Sequence, residues 1–596
     1  MKTHLLVPVI LTLNLSLIYS WTTLPLSSRR PPSSISAGSK GSNLPDLSQA
    51  SFPERYEPYD LLVIGCGPGG EAAAVNAAKL GASVALIEKK SSFGGPTGLT
   101  SKAVREATKR ICKAIDQVGG DRRRQVRGLW RRRFPVLRSE AEVLQAAESR
   151  GKLRDAGVDV YIGAARLQYN DRNDFLPVQV CKPSGCTEIE ALHTIIATGS
   201  RANIPAVLPG TNVRIPFLES GGRIVDATKA SGMSELPNSI LIIGGGVIAV
   251  EYATVFAELG VGVTLLCKEK AFLPFLDTEL KQALLDTMRQ NHVLVVHEDI
   301  EEIKLLKEKV SVEMFQTAPG KKKRKFLVDK VLYSGGRDAN SEGIGCEDVG
   351  IDIAKYGRIS VDDSCRTTAP KSIYAIGDVI GPPGLASSAM QQGREVTNLL
   401  FADNVSKLDL KQDSKQEDET FVDTDDFFVE FSQDLSEDQS LFGKSRNVRS
   451  SSDTPLTLWT IPEIASVGTG LDASQAPQRG AKVGDIVCGR GFFKDCARGR
   501  LSGEVNGFVK VAAKITSSNT HEIIGCCIFG EGANELIQMG SMLISSKATL
   551  ETVSRTPFAA VTLSGLFQVA CDDALAKSPL NAQVSRRDIN TFLSQM

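Results

Sequence analysis

The chain is poor in the residues that announce metal centres or thiol relays by their spacing. It has five histidines in 596 residues, and none follows His521. Its twelve cysteines are scattered and form no CxxC pair, the spacing that marks zinc ribbons and thioredoxin-type redox motifs. No metal site is expected, and the thiols are expected to be mostly reduced and buried. Neither sign of charge is in excess: Lys plus Arg and Asp plus Glu number 69 each. That balance excludes a general nucleic-acid binder, which needs a net positive field. After Tyr19 no apolar run is long enough to cross a bilayer, so the mature chain is expected to have no membrane segment.

The first 55 residues read as address rather than fold. Lys2 precedes an apolar stretch from Leu5 to Tyr19, the pattern of a cleavable signal peptide over 1–20. Residues 21–55 open with Trp21, are rich in Ser, Pro and Arg, and contain no acid before Asp46, as transit peptides do. A signal peptide followed by an aromatic residue and a transit-like segment resembles the bipartite presequences of algae with plastids behind additional membranes. Plastid localisation is expected, with a mitochondrial presequence or the secretory pathway as alternatives.

The stretch YDLLVIGCGPGGEAAAVNAAKLGASVALIE, from Tyr59 to Glu88, is where the chain's chemistry begins. It reads as strand, glycine turn, helix and strand. Gly65, Gly67 and Gly70 supply GxGxxG directly after an apolar strand: a tight turn, a close backbone approach to a pyrophosphate, and close helix-on-strand packing. Glu88 ends the second strand, about 20 residues on, where a carboxylate meets a ribose diol. A dinucleotide site follows. A second unit starts at Ser239, with Gly244, Gly246 and Ala249 in a GxGxxA turn. Where its second strand ends there is no acid; Cys267 and Lys268 stand there instead, which favours NADP(H) over NAD(H) without excluding either.

Between and after these units lie smaller signals. The basic run from Arg122 to Arg133 reads as a solvated helix end. Cys181 and Cys186 have the CxxxxC spacing of a redox pair, but they flank a KPSG hairpin turn far in sequence from the loop and helix after the first glycine unit, so no redox role is expected of them. Residues 194–199, TIIATG, form a buried strand with a small-residue end that includes Thr198 and Gly199. IYAIGDVIG, at 373–381, ends a strand in Gly377 and Asp378, and a helix is expected from about 385 to 400. Cys526 and Cys527 read as core residues of a sheet. Residues 403–454 are strongly acidic and read as a solvated or disordered loop.

Taken together, GCGPGG with Glu88, ATG, GGGVIAVE, YAIGDV, WTIPEIASVG and GFVKV resemble the two-dinucleotide flavoprotein reductases, the pyridine nucleotide-disulfide oxidoreductase family. The resemblance covers about 59–575. It implies an α/β chain with two Rossmann-like domains, an FAD domain (56–215 and 341–402) interrupted by an NAD(P) domain (216–340), then an α+β dimerisation domain (455–575) and a tail (576–596). It implies FAD as cofactor, nicotinamide nucleotides as partners, and a homodimer. Gly65, Gly67, Gly70, Glu88, Lys102, Thr198, Gly199, Gly377 and Asp378 are the implied FAD contacts, with Gly244, Gly246, Ala249 and Lys268 serving NAD(P). Lys102 and Glu251 match the family's catalytic ion pair beside the flavin and nicotinamide rings.

The departures bear on activity. Disulfide-reducing members carry CxxxxC after a glycine pair; here Gly94 and Gly95 are followed by PTGLT, Ser101 and Lys102, with no cysteine and a shortened loop. The C-terminal His and Glu of the family's acid–base pair are replaced by Ala560 and Gly565. Without nucleophile and base together, a disulfide cannot be reduced, so dihydrolipoamide dehydrogenase activity is not expected. The pattern is most similar to the soluble transhydrogenase branch, which implies hydride transfer from NAD(P)H through FAD to a second nicotinamide. The alternatives are a diaphorase or quinone reductase, and a redox-inactive flavin-binding scaffold.

Overall fold

Leu61, Leu62 and Val63 are wholly buried, as are Ala85 and Leu86 in the next strand of the chain, which lies beside them. Apolar runs of this kind, buried on both faces, form parallel strands covered by helices. A computed structural model shows them as β1 (Tyr59–Ile64) and β2 (Val84–Glu88) of a seven-stranded sheet. β3 (Asp159–Ile162) lies beyond β2, and β6 (Gly185–Ile196) on the other side of β1, all parallel. The far half of β6 pairs in parallel with Ile373–Ala375, while its near half forms a hairpin with β5 (Leu176–Lys182), which in turn pairs with β4 (Ala164–Leu167). The model describes residues 57–580 except 91–92, 95–98, 119–120, 170–173, 316–322, 413–453 and 473–485. The signal and transit segments, most of the shortened loop, the acidic segment beyond 412 and the tail beyond 580 fall outside those residues.

The second nucleotide unit is a parallel five-stranded sheet in the order Leu294–Val296, Gly262–Leu266, Ser239–Ile243, Lys330–Tyr333, Ile224–Val225. Leu208, Val213 and Ile215 pack in its core with Ile224 and Leu241, so the unit draws in residues before the boundary set at 216. The C-terminal domain is an antiparallel five-stranded sheet with helices Ala533–Ser545, Leu550–Arg555 and Leu566–Ala576. Cys526 and Cys527 are wholly buried within that sheet. Lys510, on its Phe508–Ile515 strand, lies 3.0 Å from Asp277, and Arg490 lies 2.8 Å from Glu279, tying the sheet to the second unit. Among the described residues, no helix is long and apolar enough to cross a membrane.

Helix α1 (Pro68–Lys79) follows the first glycine turn, α2 (Leu99–Val118) the shortened loop, and α3 (Arg122–Asp155) the basic run. The basic run opens a 34-residue helix, and Arg123, Arg124, Arg131 and Arg132 are exposed on it as a solvated helix end requires, while other residues of its first third dock on the second unit. Trp130 is buried, its indole N–H donates to the Met233 carbonyl at 2.9 Å, and Arg127 donates to the carbonyls of Leu236 and Pro237. Arg122 pairs with Glu258 at 3.1 Å. Further along, Lys152 pairs with Glu71 of α1 at 3.2 Å, so one helix braces both nucleotide units. Spacing showed the charges but not the carbonyls waiting for them.

The expectation of mostly reduced, buried cysteines holds for ten of the twelve, which are free thiols, eight of them buried, whereas Cys181 and Cys186 are bonded to each other. The helix after Asp378 runs over Ala386–Gln412 and so extends into the segment read as an acidic loop. The start of the tail is tied down: Ser578 is buried and its hydroxyl lies 2.7 Å from Nε2 of His521.

Candidate functional site

In an open parallel sheet, ligands bind beyond the carboxyl ends of the strands. The residues singled out in the first unit all sit there, except Lys102, which lies on α2. Gly65, Gly67 and Gly70 follow β1, Glu88 ends β2, Thr198 and Gly199 follow β6, and Gly377 and Asp378 follow Ile373–Ala375. Thr198 is fixed by Asn340, each side chain bonding the other's backbone: its hydroxyl donates to the Asn340 carbonyl at 2.8 Å, and Asn340 Nδ2 donates to the Thr198 carbonyl at 3.0 Å. Asp378 accepts from the Ser200 hydroxyl at 2.6 Å, with Arg337 at 3.7 Å. Glu88 accepts from the amides of Cys66, at 2.8 Å, and Lys90, at 3.1 Å, which sets its carboxylate at the lip of the glycine turn.

The two glycine turns share a geometry that separates a packing role from a binding role. Gly65 has φ +106°, and a Cβ there would lie 2.5 Å from the Ala197 carbonyl oxygen; Gly244 has φ +137°, with the Ser334 carbonyl oxygen at 2.4 Å. Only glycine fits either place. Gly67 and Gly246 are different: both have ordinary extended backbone, and a Cβ at either would meet nothing within 4 Å. Each is the N-cap of its helix, α1 or α4 (Val247–Glu258), and neither cap is a side chain. An uncapped helix start with bare backbone facing open space is an anion cradle. Both of these stand at the carboxyl end of a parallel strand, and their residues fit the pyrophosphates of two dinucleotides.

Ala249, the third position of the second turn, is wholly buried against its sheet. Lys268 stands at the end of the second strand of that unit, three-quarters exposed, and pairs with Asp299 at 3.2 Å. Its charge is available to a ribose phosphate only in competition with that carboxylate.

The two units meet at Lys102 of α2 and Glu251 of α4. Lys102 Nζ lies 3.3 Å from Glu251 Oε1 and 3.5 Å from Oε2. The C-terminal domain completes the junction, because the Trp459 backbone N–H donates to Glu251 Oε1 at 2.8 Å and its ring lies 5.6 Å from the Lys102 ammonium. Arg105, one turn on from Lys102, is almost fully buried; it donates to the Thr460 carbonyl at 3.0 Å and pairs with Glu463 at 2.9 Å. Burial pushes the Glu463 carboxyl up and the Arg105 charge pulls it down, with the rise winning. Trp459 opens the WTIPEIASVG stretch that carries the family resemblance, which attached no role to it. Arg105 did not stand out; it sits i+3 from Lys102, and that spacing was the only signal for it.

Cys66, inside the first glycine turn, is wholly buried, and burial pushes its thiol up to about 12. It is not a source of thiolate near neutral pH. Ala560, at the family's histidine position, is exposed, and Gly565 caps the helix Leu566–Ala576.

Comparison with known proteins agrees with this geometry. Residues 59–393 match the pyridine nucleotide-disulphide oxidoreductase family and 454–571 its dimerisation domain. The chain is 32% identical over 534 residues to the soluble pyridine nucleotide transhydrogenase of Chromohalobacter salexigens, covering 87% of this chain and 98% of that one. The Pseudomonas putida transhydrogenase is also 32% identical, over 533 residues, with the same coverage. Among solved structures, LpdA from Mycobacterium tuberculosis aligns with TM-score 0.67 at 22% identity, covering 86% of this chain and 99% of that one. The HOCl-induced flavoprotein disulfide reductase RclA from Escherichia coli, as its Cu(II) complex, aligns at 0.65 and 22%, covering 87% and 99%; at these identities the likeness is one of fold. With two dinucleotide cradles, a Lys102–Glu251 junction and a matching dimerisation domain, the chain belongs to the pyridine nucleotide-disulphide oxidoreductase family, whose members work with FAD and NAD(P)H.

Proposed function

We propose that the protein moves hydride equivalents from one nicotinamide nucleotide to another through FAD, as a homodimer and without a redox disulfide in the loop before Lys102. The observation that carries this reading is a contrast: both cradles and the Lys102–Glu251 junction are present, yet residues 94–102 contain no cysteine. The names of the two transhydrogenase relatives support it. FAD, when bound, supplies the two-electron chemistry. The protein's part is binding and electrostatics. Gly67 and the start of α1 hold one pyrophosphate, Glu88 a ribose, and Asp378 and Thr198 line the strand ends beside them. Gly246 and the start of α4 hold the second nucleotide. Lys102 keeps a positive charge at the junction of the two units, and Glu251 holds that charge in place. Lys268 favours NADP(H), tempered by Asp299.

The test is an anaerobic titration of FAD-loaded dimer with NADPH, followed by an NAD analogue whose reduction has its own absorbance. Bleaching of the flavin and its recovery with stoichiometric reduced analogue are expected, with no turnover of lipoamide or glutathione disulfide. A flavin that NADPH leaves yellow, or rapid disulfide reduction, refutes the reading. A flavin that bleaches but passes electrons only to quinones makes the protein a diaphorase.

We also propose a plastid destination, on the strength of the tandem signal-like and transit-like segments over 1–55. A fluorescent protein fused after residue 55 is expected to accumulate in the plastid of an alga whose plastid lies behind additional membranes. Accumulation in mitochondria, or secretion to the medium, overturns this.

A further inference from the structure

The bonded pair Cys181–Cys186 belongs to no part of the nucleotide site. It lies across the β5–β6 hairpin, where the register sets the two residues directly opposite each other, with Sγ atoms 2.08 Å apart. Cys186 is exposed and Cys181 half-buried, and the turn between them, Pro183 to Gly185, is exposed throughout. Of the other ten cysteines, none is exposed. Among the described residues Cys186 is thus the one cysteine that is exposed, while Cys488 and Cys496 are half-buried and the other eight free thiols buried.

The fold does not depend on the bond. β5 and β6 pair through a continuous ladder from Leu176 opposite Ala191 to Lys182 opposite Gly185, β4 flanks β5 as far as Ala164 opposite Cys181, and β1 holds β6 from Ala191 onward. The bond closes a very short loop, with a sequence separation of 5, the case in which a cross-link restricts the unfolded chain least. Breaking it leaves both sulfurs held face to face by the ladder, ready to re-form the bond. The flavin cannot be its electron source. β6 carries the chain on the order of 30 Å between Cys186 and the strand end beside Thr198.

We propose that Cys181 and Cys186 form a surface dithiol–disulfide pair that exchanges with a protein dithiol of the Cys-x-x-Cys class, independently of the pyridine nucleotides. The reductant's thiolate attacks Cys186 Sγ, the exposed sulfur, and forms a mixed disulfide. The Cys181–Cys186 bond breaks, and Cys181 leaves as a thiolate that takes a proton from solvent. The reductant's second thiol then attacks its own sulfur in the mixed disulfide, loses its proton and releases Cys186 as a thiolate, which is protonated. Two electrons and two protons pass to the pair, and the reductant ends as its internal disulfide.

The test uses full-length, FAD-loaded, oxidised protein and maps alkylated cysteines by mass spectrometry. Neither cysteine is expected to be alkylated before reduction or after anaerobic NADPH, and both after dithiothreitol. A thioredoxin-type protein with its resolving cysteine replaced by serine is expected to be trapped on Cys186 at least tenfold over Cys181. The double variant Cys181→Ser, Cys186→Ser is expected to keep its flavin absorbance and to trap nothing. Alkylation before any reductant, opening by NADPH alone, or trapping chiefly on Cys181 overturns the proposal, and the wild-type mapping decides the question even if the variant fails to fold. None of these readouts depends on which acceptor the flavin serves, so the transhydrogenase reading and this one stand or fall separately.

Discussion

Gly246→Ala is expected to leave a yellow, fully folded protein that NADPH no longer bleaches at concentrations saturating the unaltered enzyme. The backbone at Gly246 has φ −85° and ψ −177°, which alanine adopts without strain, and its methyl group would meet no protein atom within 4 Å. The space it fills is the one left for a pyrophosphate at the start of α4. Losing close phosphate contact to backbone N–H groups is expected to raise KM for NADPH about 100-fold, equivalent to about 2.7 kcal/mol. Gly67→Ala is the matching change in the first unit, and its expected result is folded protein with little flavin. Gly244→Ala and Gly65→Ala provide the contrast. Their added carbon lands 2.4 or 2.5 Å from a carbonyl oxygen at positive φ, so melting temperature is expected to fall with a cost of at least about 1–3 kcal/mol. Flavin content per chain, thermal melting and KM separate the four variants. An unchanged KM in Gly246→Ala shows that the second cradle is not where NADPH binds.

That contrast also marks what the sequence made legible. Both glycine turns, Glu88, and the strand ends at Thr198, Gly199, Gly377 and Asp378 could be placed because each depends on its own local chain: an apolar run, a turn, a helix. The pairing of β1 with β2 and β6 then follows from the rules for parallel sheets. The long reach of α3 could not be seen in this way. Its arginines at 122 and 127 look like solvent-facing charge until Glu258 and the carbonyls of Leu236 and Pro237 are brought beneath them.

The junction at Lys102 was legible only in part. Lys102 and Glu251 were found through resemblance to a family, as was the stretch WTIPEIASVG that holds Trp459 and Glu463, whereas the packing of Arg105 against that stretch is set only by the fold. Arg105 is nearly fully buried, and a buried guanidinium requires partners; nothing in the local sequence says that they lie more than 300 residues away. The Cys181–Cys186 bond was missed for the opposite reason. KPSG marks the hairpin, but it is the register, with Cys181 opposite Cys186, that brings the two sulfurs together.

Replacing Glu251 in two ways is expected to divide its electrostatic work from its structural work. Its Oε1 accepts from both Lys102 Nζ and the Trp459 N–H, and its side chain is 11% exposed while that of Lys102 is 27% exposed. Glu251→Gln keeps an oxygen for the Trp459 N–H and removes the charge. Its melting temperature is expected to stay near that of the parent, while kcat for transfer between nucleotides falls about 10-fold, because Lys102 is no longer held by an opposite charge. Glu251→Ala removes both bonds. Abolishing one partner of a buried pair costs about 3–5 kcal/mol; with Lys102 a quarter exposed to water, about 2 kcal/mol is expected, seen as a lower melting temperature along with the loss of rate. Lys102→Met removes the charge that favours electron density on the bound ring, so the flavin midpoint potential is expected to move lower and kcat to drop about 100-fold, with flavin content retained. The potential is the decisive reading, because a lysine that served only to hold α2 against α4 would change melting and leave the potential where it was. If both Glu251 variants melt alike and keep the parent kcat, the junction of the two units is scaffolding and the electrostatic role belongs elsewhere.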